Sequence, residues 1–200
     1  FFLPRTLLDG RWDRFSLQRQ QDKCGNRSNA SSEVEFAGTL AIRIGEEGHG
    51  IREILSNAHL TRLDFAVGSA GLMRQALTLA LQHSRTRRVF HAPLAAQPMM
   101  ANVLADLAVE VEACTRMALR IARATDHLES DAGERAFARV ATPMAKYFNC
   151  SRAPAIAYEC LQCHGGNGFI EEDPMAGLYR EAPLNGVWEG GANMMLMDMR

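Results

Sequence analysis

Met100, Val103, Leu107, Val111, Cys114, Ala118 and Ile121 recur at three- and four-residue steps, while Asp106, Glu110, Arg116, Arg120 and Arg123 fall outside that stripe. Only an α-helix, at 3.6 residues per turn, brings such positions onto one face, so this stretch must bury one side against other elements. Ala66, Ala70, Met73, Leu77 and Ala80 step by four, three, four and three, which predicts a second amphipathic helix, begun near Asp64. A third is predicted from near Ala132 to Leu161. Pro143 and Pro154 are expected to kink it or to mark first turns, because each removes a backbone donor and crowds the preceding turn. Long helices on short loops pack as antiparallel neighbours, so the fold class is mainly α, a four-helix-type bundle.

Ahead of the helices the period is two. Val34 and Phe36 alternate with Glu33 and Glu35, and Leu40, Ile42 and Ile44 alternate with Ala41 and Arg43, as half-buried strands require. Gly25-Asn26-Arg27-Ser28-Asn29-Ala30-Ser31 between them is rich in turn formers. Gly45-Glu46-Glu47-Gly48-His49-Gly50 then breaks the strand register. The expected organisation is therefore 1–44 as the end of a β domain and 45–200 as the helical bundle. The chain opens without Met on what reads as mid-strand, so a fragment of something longer is expected.

A chain of 200 residues that is 47% hydrophobic can bury a substantial core. Its 23 acidic and 22 basic residues leave a net charge of -1, which provides no field for gathering nucleic acid, so any DNA contact would be local. Among the basic residues only Lys23 and Lys146 are lysines, a bias that suits anion binding but fits the codon usage of the source as well. Five irregularly spaced cysteines argue against a disulfide framework and for a reducing compartment, with the cytoplasm as the expected location. No run approaches the roughly 18 apolar residues of a membrane span.

Several short motifs carry chemistry. Cys160-Leu161-Gln162-Cys163-His164 fits the C-x-x-C-H pattern of covalent haem attachment, and the cysteine pair could alternatively serve redox or zinc chemistry. The next residues, Gly165-Gly166-Asn167-Gly168-Phe169, either cap a helix and form a loop or let backbone amides approach a phosphate with no Cβ in the way. Arg85-Thr86-Arg87-Arg88 either complements the negative end of its helix or holds an anion. Arg62 is either a phosphate ligand or a solvated surface charge. Val187-Trp188-Glu189-Gly190-Gly191 places a solitary acid beside a large aromatic, which is expected to desolvate it partly and bring it toward the range of a general base; the alternative is an exposed loop acid.

Taken in order, these elements resemble the flavin-dependent acyl-CoA dehydrogenases. The likeness is carried by Gly25-Asn26-Arg27-Ser28 ahead of Val34-Glu35-Phe36, the glycine turn at 45–50, Thr61-Arg62, and Arg87-Arg88-Val89-Phe90 with Leu94 and Gln97. Gln162-Cys163-His164-Gly165-Gly166-Asn167-Gly168-Phe169, Arg180-Glu181-Ala182 and Trp188-Glu189-Gly190 complete it. Within the family, Gly25 to Ser31, Leu60-Thr61-Arg62-Leu63-Asp64-Phe65, Leu178-Tyr179-Arg180-Glu181 and Pro183 to Gly190 are similar to the AidB-type branch, linked to the bacterial response to DNA alkylation. The haem reading gives way, because Gln162 and the two glycines are what the family keeps there.

The resemblance implies the end of the middle β domain followed by most of the C-terminal helical domain. It implies Glu189 as the base that removes the α-proton of a CoA thioester while hydride leaves the β-carbon for FAD, with Gly190 allowing close approach and Arg62 on the CoA side of the cleft. Arg87, Phe90, Gln97, Gln162, Gly165 and Gly166 would hold the adenine and pyrophosphate of FAD, typically that of a neighbouring subunit in a homodimer or homotetramer. No metal is implied. Electron-transfer flavoprotein is the implied redox partner. The rest of the flavin site, and the region through which AidB-type proteins are thought to reach DNA, would lie outside these residues. Gly191 stands where Thr is usual, His91 where Gly is usual, Thr61 leaves the alternative base position empty, and Pro183 takes a basic residue's place. A DNA-protecting flavoprotein with little dehydrogenase activity and a bundle serving only assembly are the competing readings.

Overall fold

The structure, a computed structural model, describes residues 1–199, and the chain divides into two compact units, Phe1–Asn57 and Ala58–Arg200. In the first, β1 (Phe15–Gln20) pairs antiparallel with β2 (Ser32–Phe36), Phe15 opposite Phe36 and Gln20 opposite Ser32, with an irregularity between Leu17 and Arg19. Asp13 organises the base of this hairpin: its Oδ1 accepts from the backbone N–H groups of Arg14 at 2.7 Å and Leu40 at 3.0 Å. The strand expected over Leu40 to Ile44 is reduced to a single bridge between Ile42 and Phe2, because within this unit no longer segment lies alongside it. Gly45 and Gly48 take φ of +76° and +86°, left-handed values that end the extended chain where the sequence placed its break.

Helix α1 (Gly50–Thr86) begins a full fourteen residues before Asp64, where its apolar period becomes readable. Residues 50–57 are all exposed, so no burial pattern marks them as helical. From Ala58 onward the stripe is buried as the spacing requires, Ala66, Met73, Ala76 and Ala80 completely. A two-stranded ribbon follows, β3 (Arg88–Val89) with β4 (Ala92–Pro93), then a 3-10 turn at Leu94–Ala96 and α2 (Pro98–Asp126) with proline at its first position. α3 (Ala132–Cys163) runs without interruption through both Pro143 and Pro154. Neither proline marks a first turn: both lie inside α3, and Pro143 is fully buried among the packed helices, whose packing offsets the lost donor. α4 (Pro174–Glu181) and α5 (Ala192–Asp198) complete the unit.

The main core joins Met73, Leu77 and Ala80 of α1, Leu107, Val111 and Cys114 of α2, Ile156 and Cys160 of α3, and Met175 of α4. A smaller cluster joins Leu63 and Ala66 with Ile121, Ala141 and Ala145. Alanine supplies many of the contact positions, which lets the long helices approach closely.

Asp131 caps α3, accepting from the N–H groups of Glu134 at 3.1 Å and Gly133 at 2.7 Å. Those amides, Glu134 first, hold its carboxyl below the ordinary 3.8. A depressed folded value means that the cap stabilises above pH 3.8 and the contribution is lost as pH falls through the folded value. Asp131→Ala is therefore expected to lower Tm near neutrality and to flatten the fall of Tm with pH below about 4, which a series of melts across that range will read.

Candidate active site

Glu189 lies on a left-handed turn of the helical unit. Leu184–Gly186 forms a 3-10 turn preceded by Pro183, whose φ of -68° is the value its ring imposes, so this proline starts the turn comfortably. Glu189 then takes φ +52° and Gly190 φ +99°, and Gly191 caps α5. Left-handed backbone at a residue with a Cβ costs roughly 1–2 kcal/mol, so its surroundings must hold it there.

Three contacts do so. The Arg62 Nε donates to Glu189 O at 3.2 Å. The Lys146 Nζ donates to Gly190 O at 2.5 Å, with Gly186 O at 3.5 Å. The Asn185 Nδ2 donates to Ser69 Oγ at 3.1 Å, and Ser69 in turn to Cys150 Sγ at 3.3 Å. Asn149, also fully buried, ties α3 to its neighbours by donating to Ala66 O at 3.1 Å and Cys114 O at 3.2 Å. A buried polar layer of Ser69, Lys146, Asn149 and Cys150 thus lies among the helices, with Lys146 and Ser69 bonded to the turn.

The Glu189 side chain is exposed. Trp188 does not cover it, as the sequence had suggested; its ring packs edge-on against Phe65, centroids 5.8 Å apart at 78°. Arg62 is drawn inward: its side chain is 12% exposed and its Nη1 pairs with Asp198 Oδ2 at 2.7 Å, while Arg139 takes Asp198 Oδ1 at 2.8 Å. The guanidinium that could have faced a ligand is committed to α5 and to the carbonyl of Glu189. His59 sits in the same group, its pKa lowered chiefly by burial and further by Arg139 and Arg62.

A second region gathers four of the six residues expected at FAD. Arg87, Gln162, Gly165 and Gly166 line a cavity of about 330 Å³ together with His83, Leu94, Met100 and His164. Gly165 has φ +62° and a Cβ placed on either Gly165 or Gly166 would meet nothing within 4 Å, so their backbone is open to a ligand. Phe90 and Gln97 stand apart from this cavity's lining. Phe90, 90% exposed, is in the turn of the β3–β4 ribbon, where both it (φ +48°) and His91 (φ +68°) are left-handed. This is the conformation a two-residue ribbon turn demands and glycine usually supplies, so His91 carries backbone strain here. Gln97 caps α2 and donates to Val89 O at 3.2 Å, fixing the ribbon to the helix.

Sequence reading missed His83, whose ring stacks on His164 with centroids 4.7 Å apart, and it missed Lys146. The signal for Lys146 was present: a lysine in phase with Ala138, Ala141, Thr142, Ala145 and Asn149, all buried. Of the C-x-x-C-H residues, Cys160, Cys163 and His164 are buried in or against the core. Burial pushes the Cys160 thiol up to about 12, and Cys163 upward as well, so neither thiol is a reactive nucleophile. Among the described residues no group of three or more His, Cys, Asp or Glu side chains could hold a metal ion, and no helix is long and apolar enough to cross a membrane.

Residues 48–200 match the family model for the acyl-CoA dehydrogenase C-terminal domain. The whole chain is 45% identical to AidB of Escherichia coli strain K12 over 199 residues, covering 37% of that protein. The structure superposes on Caenorhabditis elegans ACDH-11, solved in complex with C11-CoA, with a TM-score of 0.93 at 28% identity, over 98% of this chain and 33% of that one. It also superposes on butyryl-CoA dehydrogenase from Megasphaera elsdenii with a TM-score of 0.83 at 26% identity, over 92% of this chain and 47% of that one. The chain therefore spans between a third and a half of the length of these relatives. By the domain match and by the shared helical architecture, this chain belongs to the acyl-CoA dehydrogenase family and carries its C-terminal helical domain.

Proposed function

We propose that the full-length protein is an FAD-dependent oxidoreductase that removes two hydrogens from adjacent carbons of a CoA thioester, with Glu189 as the base. The observation that supports this most directly is the exposed carboxylate of Glu189 on a left-handed turn whose carbonyls are bound from within by Lys146 and Arg62. That arrangement keeps the acid accessible while denying its backbone freedom, which is what proton abstraction at a defined carbon needs.

In this reading Glu189 accepts the α-proton, leaving an electron pair to form the new carbon–carbon double bond as the β-hydride departs. The Glu189 backbone N–H polarises the thioester carbonyl, and the missing Cβ at Gly190 makes room for Met194 and Met195 of α5 against the turn. FAD, when bound, supplies the acceptor for that hydride. The donor set at the second cavity suits an adenosine diphosphate half: Arg87 offers a bidentate cation, Gln162 an amide, and Gly165 and Gly166 an unobstructed backbone. Phe90 and Gln97 extend this surface along the β3–β4 ribbon, toward the FAD of a neighbouring subunit in a homo-oligomer. Arg62 acts on the substrate side through the Glu189 carbonyl. Reoxidation would fall to an electron-transfer flavoprotein.

The test uses the full-length protein loaded with FAD and mixed anaerobically with acyl-CoA thioesters of increasing chain length. The expected result is loss of the flavin's visible absorbance with at least one of them, together with an α,β-unsaturated thioester in the products. A flavin-loaded protein inert to every thioester in the series sinks the proposal.

A further inference from the structure

Lys146 is the one lysine in the helical unit and it is 1% exposed. Among the described residues no carboxylate lies within ion-pair distance of it. A buried ammonium without a counterion is expensive, and packing alone would favour methionine or leucine at that position of α3. What Lys146 has instead is carbonyl oxygen: Gly190 O at 2.5 Å and Gly186 O at 3.5 Å, one at each end of the segment that carries Trp188 and Glu189. Burial pulls its pKa below the ordinary 10.5, Arg62 adds to that depression, and Cys150 and Glu189 oppose it.

The segment needs such a clamp. Glu189 at φ +52° and Gly190 at φ +99° are both left-handed, and a fall back to extended backbone would redirect the Glu189 carboxylate. Of the other side-chain ties, Arg62 holds a single carbonyl, Glu189 O, and Asn185 holds the 3-10 turn before it, while the backbone bonds from Val187 and Trp188 to Leu184 O stop short of Glu189. Met194 and Met195 crowd Gly190, at 3.0 Å and 3.1 Å from where a Cβ would stand, so the turn is packed against α5 as well as bonded to the ammonium.

We propose that Lys146 is a positioning residue: its ammonium, bridging the carbonyls of Gly186 and Gly190, fixes the left-handed turn that presents Glu189. The proposal rests on the reading of Glu189 as the base for its kinetic consequence, and stands on the turn itself for its structural one. It assigns to α3 the task of setting the reach of an acid that α3 does not carry.

The experiment compares full-length, FAD-loaded wild type with Lys146→Met, which fills the same volume without a donor. Hydrogen–deuterium exchange is followed by mass spectrometry on peptides spanning 184–198 and on α2 peptides. Lys146→Met is expected to raise exchange in 184–198 by tenfold or more with α2 unchanged. Turnover with acyl-CoA is expected to fall roughly 100-fold with KM within threefold, the pattern of a base displaced by about an ångström. Unchanged exchange in 184–198 overturns the proposal, as does equal loosening of α2, which would mark a lysine serving general stability only. Raised exchange with unchanged turnover, in a protein that Glu189→Gln inactivates, overturns the positioning role. If Glu189→Gln remains active, the base assignment fails and the exchange data alone decide whether Lys146 holds the turn. Should Lys146→Met not fold, Lys146→Gln, which keeps a shorter neutral donor, is expected to show the same local loosening, and its absence there overturns the proposal equally.

Discussion

With Glu189 as the proposed base, full-length protein carrying Glu189→Gln is expected to keep its fold and to lose the proposed dehydrogenation by about 10²- to 10⁴-fold. The fold survives because the carboxylate is exposed and because the ties that hold the turn, from Arg62 and Lys146, go to backbone carbonyls of Glu189 and Gly190. Glutamine preserves shape and removes only the ability to take up a proton at neutral pH. At the alternative base position that the family resemblance implies stands Thr61, which carries no carboxylate. Turnover is read by flavin reduction with saturating acyl-CoA, and Tm is measured alongside. Retained turnover at an unchanged Tm would remove Glu189 from the mechanism, whereas loss of both would report a structural role in place of a chemical one.

Gly168→Ala will destabilise the helical unit by about 3 kcal/mol, the upper range for forcing an extra methyl group into packed structure. Gly168 is buried, and a Cβ there would stand 2.6 Å from Leu161 O, 3.0 Å from His164 Cβ and 3.2 Å from Leu161 Cγ. The first of these contacts is with the backbone of α3, which cannot swing aside as a side-chain end can. Either the 3-10 turn at Gly165–Phe169 lifts away or the last turn of α3 unwinds, and both displace the cavity that holds Gln162, Gly165 and Gly166. A fall in Tm of about 6–12 °C follows for a chain of this size, with weaker retention of the proposed FAD expected in the full-length protein. Gly166→Ala is the matched control: nothing lies within 4 Å of its added methyl, so its Tm should shift by no more than about 0.5 kcal/mol implies. Equal melting of the two variants would show that the close approach at Gly168 carries no energy.

The contrast between those two glycines shows how far the motif could be read. Gly165-Gly166-Asn167-Gly168 looks alike in the sequence at each glycine, yet two of them face open space and one is pressed against a helix. Glu189 was legible as a solitary acid between an aromatic and two glycines, while its exposure was not, because whether Trp188 covers it depends on Phe65, more than a hundred residues away. Arg62 was legible as a cation near the site; its partner Asp198 was not, since nothing local ties α1 to α5. Pro143 and Pro154 were read as kinks or first turns, which is how they act in an isolated helix; in the fold both lie inside α3.

By itself the sequence determined the periods. The spacing of apolar residues specifies helices wherever one face is buried, and the glycines at 45 and 48 end the extended segment, because both are local consequences of backbone geometry and side-chain size. Tertiary structure alone decided which polar groups became partners. Lys146 is a charge in the sequence and a clamp in the fold, since only the packing of α3 beneath the 186–190 turn removes its water and leaves two carbonyl oxygens in reach.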